Sequence, residues 1–258
     1  MSYKNVEQTI IRTVVKIGKK AIEIIEKLLF PPRCIFCTSI LDIHAKVNIC
    51  RECHKVLGYI GNKLYYVNKF FSKNLWQHKY FDRIFCVFEY SGYVKEAIIR
   101  YKYFGKAWYY KTFAWLLANM LLNNNAGSFS RSSINNEYDM IISVPLHKER
   151  AKKRGYNQAC LISKELSRIM KIPEVSSLLV RTKNTTPQSL LHNEERSKNI
   201  KNAFKVTDVN KVKGKKILLV DDVMTTGSTV NECSRVLKEA GAVKVDIAVI
   251  AVAFVFEL

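Results

Sequence analysis

The stretch that decides the fold is ILLVDDVMTTGST, which spans residues 217–229. Its first four residues, 217–220, are apolar and mostly branched, which predicts a buried strand. Two acids, Asp221 and Asp222, follow where this strand is expected to reach the surface, and a turn of small hydroxyl residues comes next. Apolar or small side chains then recur at helical spacing over residues 230–240. The stretch therefore predicts a strand, an acidic pair, a small-residue loop and a helix N-terminus in succession.

This succession is typical of a site for a phosphorylated sugar. Backbone N–H groups of the loop and the positive end of the helix dipole would face a phosphate, and hydroxyl groups would add donors. The ionised carboxylates of Asp221 and Asp222 accept hydrogen bonds only, which suits the adjacent hydroxyls of a ribose. An ordinary strand-to-helix turn is the alternative, whereas Walker and dinucleotide motifs are excluded by their missing glycines and lysine. The residues assigned to the phosphate are Thr225, Thr226, Gly227, Ser228 and Thr229.

Strands and helices alternate through the C-terminal two thirds of the chain. Strands are predicted at residues 84–90, 140–144 and 245–256, and the segments between them have helical periodicity. Such alternation predicts an α/β domain with a mostly parallel sheet, whose ligands bind at the carboxyl ends of the strands. The acidic pair stands at such an end.

The chain of 258 residues carries a formal net charge of +20. The excess is clustered, because residues 147–216 hold 18 lysines and arginines against 6 acidic residues. This cluster indicates a polyanionic partner, meaning nucleic acid, a membrane surface or a phosphate-rich substrate, with general solubility as the open alternative. The run Lys152, Lys153 and Arg154 is the candidate for nucleic-acid contacts.

Aromatic and basic residues interleave over residues 55–80, as they do in proteins that bind single-stranded nucleic acid. Trp76 and Tyr80 are the candidates for stacking on bases. Packing of a small connecting segment explains the same composition equally well.

Four cysteines form two pairs with the spacing of a zinc site. Cys34 and Cys37 make one Cys-x-x-Cys pair, and Cys50 and Cys53 make a second pair after 12 intervening residues. Each pair would direct two thiolates to one point, so that two pairs complete a tetrahedron around Zn²⁺. Disulfides or a redox pair are the alternatives. Because four thiolates leave no open coordination position, the pattern predicts a structural zinc that contributes to folding.

An amphipathic helix is predicted at the N-terminus. Apolar residues recur every three or four positions within residues 4–29, with lysines between them, and Pro31-Pro32 ends the pattern. This helix either packs on the rest of the protein, which its wide apolar stripe favours, or makes peripheral contact with a membrane or a partner. No segment resembles a transmembrane helix or a secretory signal.

These signals divide the chain into three parts and suggest where it resides. Residues 1–30 form the N-terminal helix, residues 31–80 the zinc-ribbon module with its aromatic and basic connector, and residues 84–258 the α/β domain. Seven cysteines and the lack of an export signal indicate a reducing compartment, in which thiols stay free or bind metal. We therefore expect a cytoplasmic protein, with peripheral attachment at the inner face of the membrane as one option.

Further motifs follow one another in an order that one family shares. They are the four-cysteine ribbon, EYSG at 89–92, IIRYKYFG at 98–105, VPLH at 144–147, RGYNQA at 154–159 and the segment 181–188, all ahead of the acidic stretch. In this order the chain resembles the ComF family of competence-associated phosphoribosyltransferase-like proteins. Residues 181–229 are also similar to the domain of glutamine amidophosphoribosyltransferases that binds 5-phosphoribosyl-1-pyrophosphate (PRPP). The resemblance implies a type I phosphoribosyltransferase fold.

The resemblance also implies roles for individual residues. Val144, Pro145 and Leu146 match the loop whose backbone N–H groups hold the pyrophosphate leaving group. Residues 181–196 match the flexible loop that closes over PRPP, and a cation on it would neutralise the departing pyrophosphate. Mg²⁺ is expected to bridge pyrophosphate oxygens and to be held largely by the substrate. The catalytic candidates are Asp221, Asp222, Arg181 and Arg196.

Two classes of function follow from these observations. In the first, the protein acts in DNA uptake and natural transformation, binds PRPP or a mononucleotide, and holds single-stranded DNA on its basic surface, with competence or DNA-processing proteins as partners. In the second, it is an active phosphoribosyltransferase of nucleotide or related metabolism, because the PRPP signature is intact. An acidic or amide group placed to bind an acceptor would distinguish the two, and none is identifiable in the sequence.

Overall fold

The computed structural model describes residues 12–15, 18, 29–60, 79–123, 137–183 and 200–253. The chain groups into two compact units, Met1–Lys55 and Val56–Leu258. Most of the predicted N-terminal helix, most of the aromatic and basic connector, and the candidates Trp76 and Arg196 lie outside the described residues.

The first unit is folded around its four cysteines. Arg33 and Ile40 form an antiparallel bridge, and Thr38 turns the chain between them in a left-handed conformation with φ of 65°. The short helix α1 (Arg51–Val56) contains Cys53. The described core of this unit is very small, since its buried apolar residues are Cys34, Ile35, Phe36 and Cys53.

The second unit is built on a four-stranded parallel sheet with the order β1-β6-β5-β2, beside an antiparallel pair of β3 and β4. Because all three pairings in the four-stranded sheet are parallel, its strands need crossover connections, and the predicted mostly parallel α/β fold is confirmed. In chain order the elements are β1 (Ile84–Glu89), α2 (Gly92–Tyr103), α3 (Tyr110–Asn123), β2 (Met140–Ser143), α4 (Lys148–Arg154), α5 (Gln158–Met170), β3 (Leu179–Arg181), β4 (Phe204–Val206), α6 (Val209–Val212), β5 (Lys216–Met224), α7 (Ser228–Glu239) and β6 (Lys244–Val252).

Both faces of the sheet are covered, which explains why its strands are continuous apolar runs. On one face, Ile217 and Leu219 belong to a core that also contains Val230 and Leu237 of α7. Helices α3 and α5 pack against each other and against the strands, and side chains alternate between the faces along each strand. Among the helices of the described residues, none is long and apolar enough to cross a membrane.

The strand that carries the acidic pair is longer than its apolar run. The sequence pattern ends this strand at Val220, whereas β5 continues through both acids because its ladder with β6 extends to the pair Met224–Val252. Its ladder with β2 stops at the pair Ser143–Val220. Asp221 and Asp222 therefore lie inside β5, at the point where one neighbouring strand has ended, and not after the strand.

Candidate functional site

A cleft of about 540 Å³ opens at the carboxyl ends of the parallel strands. This is the edge at which open α/β sheets bind their ligands, and the volume lies within the range of small-molecule sites. The cleft brings together the acidic pair, the loop of Val144 to Leu146 and the small-residue loop before α7.

The acidic pair is held by an ion pair with a distant lysine. Oδ1 of Asp222 lies 2.8 Å from Nζ of Lys102 in α2, and only 18% of the Lys102 side chain and 9% of the Asp222 side chain are exposed. The peptide N–H of Asp222 donates a hydrogen bond of 2.8 Å to Oδ1 of Asp221. The two neighbouring acids thus have different partners.

The surroundings of Asp221 raise its proton affinity. Burial raises the pKa of Asp221 to about 7, and the charge of Asp222 adds to this shift against the opposing effect of Lys102. Burial by itself would lower the pKa of Lys102, but the Asp222 carboxylate outweighs burial and raises that pKa above its usual value. Near neutral pH the pair therefore offers a carboxyl group that is partly protonated beside a carboxylate, so that it can both donate to and accept from a hydroxyl group.

The loop before α7 has the geometry of an anion site. Gly227 precedes the helix in a left-handed conformation with φ of 75°, which glycine adopts without steric cost. Thr225, Gly227 and Thr229 line the cleft, whereas the hydroxyls of the buried Thr226 and Ser228 lie 3.0 Å apart and hydrogen bond to each other. The first turn of α7 contains no acidic residue. Backbone N–H groups and the helix dipole therefore present positive potential to the cleft.

The loop after β2 is fixed at both ends. The N–H of Val144 donates to the carbonyl of Val220 (2.9 Å), which extends the pairing of β2 with β5 by one bond. The side chain of Asn157 donates to the carbonyl of Val144 (3.1 Å) and accepts from the N–H of Ala159 (3.1 Å), so that it also caps α5. Val144, Pro145 and Leu146 all line the cleft.

Basic side chains outnumber acidic ones in the described lining of the cleft. Burial lowers the pKa of Arg181 to about 10, and the positive charge of Arg150 adds to the shift. Burial and then the charge of Arg154 lower the pKa of Arg150 in the same way. Cations that repel one another in a partly dry cleft favour an anion between them. The basic residues of the lining are Lys95, Lys102, Arg150, Arg154 and Arg181.

The three basic residues predicted to contact nucleic acid have different surroundings. Arg154 lines the cleft, donates to the Tyr103 hydroxyl (3.0 Å) and to Oε1 of Gln158 (3.2 Å), and lies 4.9 Å from the centre of the Tyr103 ring. Lys152 is exposed to solvent, and the side chain of Lys153 is not among those described. Tyr80 is half-buried, and its backbone N–H donates to Oδ1 of Asn231 (2.9 Å).

Lys102 and Gln158 line the cleft although no sequence pattern assigns them to it. Gln158 is only 1% exposed, and among the described residues its Nε2 has no hydrogen-bond partner. Both residues belong to motifs that carry the family resemblance, but their roles depend on contacts with α4 and β5 that the linear sequence does not reveal.

The first unit contains a separate candidate metal centre. The Sγ atoms of the four cysteines all lie within 4.8 Å of one another. Sulfurs bound tetrahedrally to zinc at about 2.3 Å would be about 3.8 Å apart, so the cluster could bind a metal such as zinc. The N–H groups of Cys50 and Cys53 donate to Sγ of Cys34 (3.4 Å) and of Cys50 (3.3 Å).

Known proteins support the assignment of the fold. Residues 154–253 match the family described as phosphoribosyl transferase domain. The chain is 34% identical to competence protein F of Haemophilus influenzae, over 83% of this chain and 94% of that protein. It is 26% identical to competence protein ComFC of Bacillus subtilis, over 81% of this chain and 72% of that protein. It is 41% identical to DNA utilization protein YhgH of Escherichia coli O157:H7, over 42% of this chain and 47% of that protein.

The similarity to competence protein F extends over nearly the whole of that protein. It agrees with the parallel sheet, with the phosphoribosyl transferase match and with the clustered cysteines. This chain therefore belongs to the ComF family and has a type I phosphoribosyltransferase fold.

Proposed function

We propose that this chain binds PRPP or a mononucleotide in the cleft of its second unit and handles single-stranded DNA during DNA uptake. The observation that carries the proposal is the cleft, in which an acidic pair lies between two loops rich in backbone donors and is surrounded by basic side chains. PRPP has the complementary arrangement, with ribose hydroxyl groups between a 5-phosphate and a pyrophosphate.

Each part of PRPP has a complementary group in the cleft. The 5-phosphate would bind at the loop of Thr225 to Thr229 and the N-terminus of α7, and the ribose hydroxyls at Asp221 and Asp222. The pyrophosphate would lie at the loop of Val144 to Leu146, with Arg181 and its neighbours balancing its charge. Mg²⁺ that arrives with PRPP would neutralise part of the charge on the pyrophosphate oxygens.

The DNA-handling part of the proposal is supported by relatives and by the surface. The relatives include two proteins named for competence and one named for DNA utilization. Tyr103, Phe104 and Trp108 form an aromatic turn after α2, in which these side chains are 58%, 65% and 39% exposed. Single-stranded DNA binds to surfaces that combine stacking rings with cations, and Lys106 and Lys111 are exposed in the same segment. Tyr103 also lines the cleft, so a strand stacked on this turn would extend toward the phosphate site.

A calorimetric titration of PRPP with and without single-stranded DNA tests this function. We expect PRPP to bind, and a 5′-phosphorylated oligonucleotide to weaken its apparent affinity, because the aromatic turn adjoins the cleft. Folded protein that binds neither PRPP nor a mononucleotide would refute the cleft assignment. Binding of PRPP without any binding of the oligonucleotide would refute only the DNA part.

A phosphoribosyltransferase activity is the second candidate function. It is favoured by the buried Nε2 of Gln158, which lacks a hydrogen-bond partner among the described residues. This N–H group could donate a hydrogen bond to an oxygen or nitrogen atom of the molecule that receives the phosphoribosyl group. The assay measures pyrophosphate released from PRPP with amines or nucleobases as acceptors. Release that depends on the acceptor and falls in Gln158→Leu supports an enzyme, and release at the uncatalysed rate with every acceptor excludes it.

We also propose that the four cysteines hold one structural Zn²⁺. Four thiolates would complete the coordination shell and leave no position for a reacting group. The ion would therefore contribute to folding of the first unit and not to chemistry. Elemental analysis tests its presence, and chelation tests its structural role.

A further inference from the structure

The acids of the cleft are already neutralised in part by a cation of the chain. Nζ of Lys102 lies 2.8 Å from Oδ1 of Asp222, and both side chains are largely buried. Oδ1 of Asp221 accepts the N–H of Asp222. A divalent metal ion that used these carboxylates as ligands would therefore have to share Asp222 with an ammonium group.

Lys102 is held in this position by its neighbours along α2. Tyr101 is fully buried, and its hydroxyl donates to the carbonyl of Gln158 (2.9 Å) at the start of α5. Tyr156 donates its hydroxyl to the carbonyl of Tyr101. Tyr103, on the other side of Lys102, accepts a hydrogen bond from Arg154 and stacks with its guanidinium group. The backbone that carries Lys102 is thus tied to α5 and α4.

A metal ion does not fit well beside this ammonium group. Magnesium binds carboxylate oxygens at about 2.1 Å and prefers an octahedral shell that retains several waters. An ion bound to Asp222 would lie within a few ångströms of Nζ of Lys102, where like charges repel strongly because little water screens them. The lysine, by contrast, is tethered and needs no further ligands.

We propose that Lys102 is the resident cation of the acidic pair and excludes a divalent metal ion from Asp222. Recognition of the sugar hydroxyls then needs no metal, and any Mg²⁺ requirement belongs to the pyrophosphate of the ligand. This inference rests on the proposed function of the cleft. It follows that phosphorylated riboses without a pyrophosphate group, such as ribose 5-phosphate, bind equally well with and without Mg²⁺.

Lys95 provides a matched control on the same helix. It also lines the cleft, but it is exposed to solvent, whereas the ion pair of Asp222 is with Lys102. Replacing either lysine by glutamine removes the same charge from the cleft. The two variants therefore differ mainly in whether the acidic pair loses its cation. Lys102→Arg keeps the positive charge, and it therefore separates the effect of losing the charge from the effect of replacing the side chain.

Binding of Mn²⁺ to the ligand-free protein, followed by electron paramagnetic resonance, tests the metal exclusion directly. We expect Lys102→Gln to bind one Mn²⁺ at least tenfold more tightly than the unaltered chain, and the added change Asp222→Asn to remove this binding. Lys95→Gln and Lys102→Arg should behave like the unaltered chain. An unaltered chain that binds Mn²⁺ through Asp222, or a Lys102→Gln variant that binds it no better than Lys95→Gln, overturns the proposal.

Calorimetry with ribose 5-phosphate tests the consequence for ligand binding. The affinity of the unaltered chain and of Lys95→Gln should not change on adding Mg²⁺, whereas Lys102→Gln should bind at least tenfold more weakly without Mg²⁺ and recover in its presence. An unaltered chain whose affinity rises tenfold or more with Mg²⁺ overturns the inference and leaves the proposed function intact. Folded protein that binds no ribose 5-phosphate under either condition overturns both.

Discussion

Asp221 and Asp222 are adjacent in sequence, yet the folded protein holds them by different interactions. Asp222 forms an ion pair with Lys102, whereas Asp221 is a carboxyl group whose pKa burial raises to about 7. An ion pair of this kind makes each partner depend on the other, whereas desolvation of a half-buried carboxylate such as Asp221 opposes folding. The two acids should therefore affect stability in opposite directions.

Removing the charge of Asp221 should stabilise the protein at alkaline pH. In the unfolded chain this carboxyl group has its ordinary pKa of 3.8, whereas in the folded chain its pKa is about 7. The folded state binds more protons between these values, so stability falls as the pH rises through this window and stays reduced above it. The shift from 3.8 to about 7 corresponds to at most about 4 kcal/mol. We therefore expect the melting temperature of Asp221→Asn to exceed that of the unaltered chain by at least about 2–4 °C at pH 8, and to equal it at pH 4. A gain of the same size at both pH values would contradict this account.

Removing the charge of Asp222 should destabilise the protein. Lys102 would keep its buried position but lose its carboxylate partner, at a cost on the order of 2 kcal/mol in urea unfolding at pH 7. Lys102→Met in the same chain should recover part of the loss, because no unpaired charge remains. Strictly additive effects of the two changes would show that the ion pair does not couple these residues.

At the scale of elements, the N-terminus of α7 is the feature that a contiguous pattern predicts best. All parts of this feature are consecutive in the chain: the strand, the acids, the loop and the helix. A pattern in one short stretch of sequence therefore describes it completely. Helix α4 is different, because its residues KERAKKR have no apolar periodicity; its ends are set by His147, which accepts from the N–H of Glu149, and by Gly155 with φ of 80°. The position of Lys102 and Gln158 at the cleft could not be predicted from a sequence pattern either, because it results from the packing of α2 and α5.

The conformation of Gly227 provides a prediction at this scale. Gly227 and Gly214 both have φ of 75°, but only Gly227 lines the cleft. A side chain in this conformation costs about 1–2 kcal/mol, so alanine at either position should lower stability by a similar amount. Only Gly227→Ala should also weaken binding of ribose 5-phosphate, because its β-carbon would stand where the phosphate approaches the backbone. Equal affinities in the two variants would argue against a phosphate at this loop.

At the scale of the whole molecule, the two units have different sources of stability. The second unit has an extensive apolar core, whereas the described first unit buries few apolar residues besides its cysteines. A folded segment that buries so few apolar side chains usually depends on a metal or disulfides. The cysteine cluster is therefore expected to determine whether the first unit folds.

Metal removal should unfold the first unit selectively. We expect about one zinc per chain by elemental analysis, and loss of hydrogen-exchange protection at the N–H groups of Thr38 and His54 after chelation, because both N–H groups bond within the cysteine knuckles. Amides of β5 and β6 should stay protected. A metal-free protein in which Thr38 and His54 exchange as slowly as before would show that the ion is not structural.

The net charge and the aromatic turn predict how single-stranded DNA binds. Each phosphate contact should add roughly −0.7 to the slope of log affinity against log salt, while loss of a stacking ring should cost about 1–3 kcal/mol without changing that slope. We expect Phe104→Ala and Trp108→Ala each to weaken DNA binding by about 1–3 kcal/mol without changing the salt slope. Val243→Ala, which shortens an exposed apolar side chain elsewhere in the unit, should change neither quantity. Equal effects of all three variants would exclude the aromatic turn as the stacking surface.

The central claim is that the acidic pair and its loops bind PRPP, and a calorimetric titration of the double variant Asp221→Asn/Asp222→Asn tests it most directly. Gly214→Ala serves as a control that loses stability without altering the cleft. We predict that the unaltered chain and Gly214→Ala bind PRPP with equal affinity, and that the folded double variant binds at least tenfold more weakly, a loss of about 1.4 kcal/mol. An unchanged affinity in the folded double variant would contradict the account.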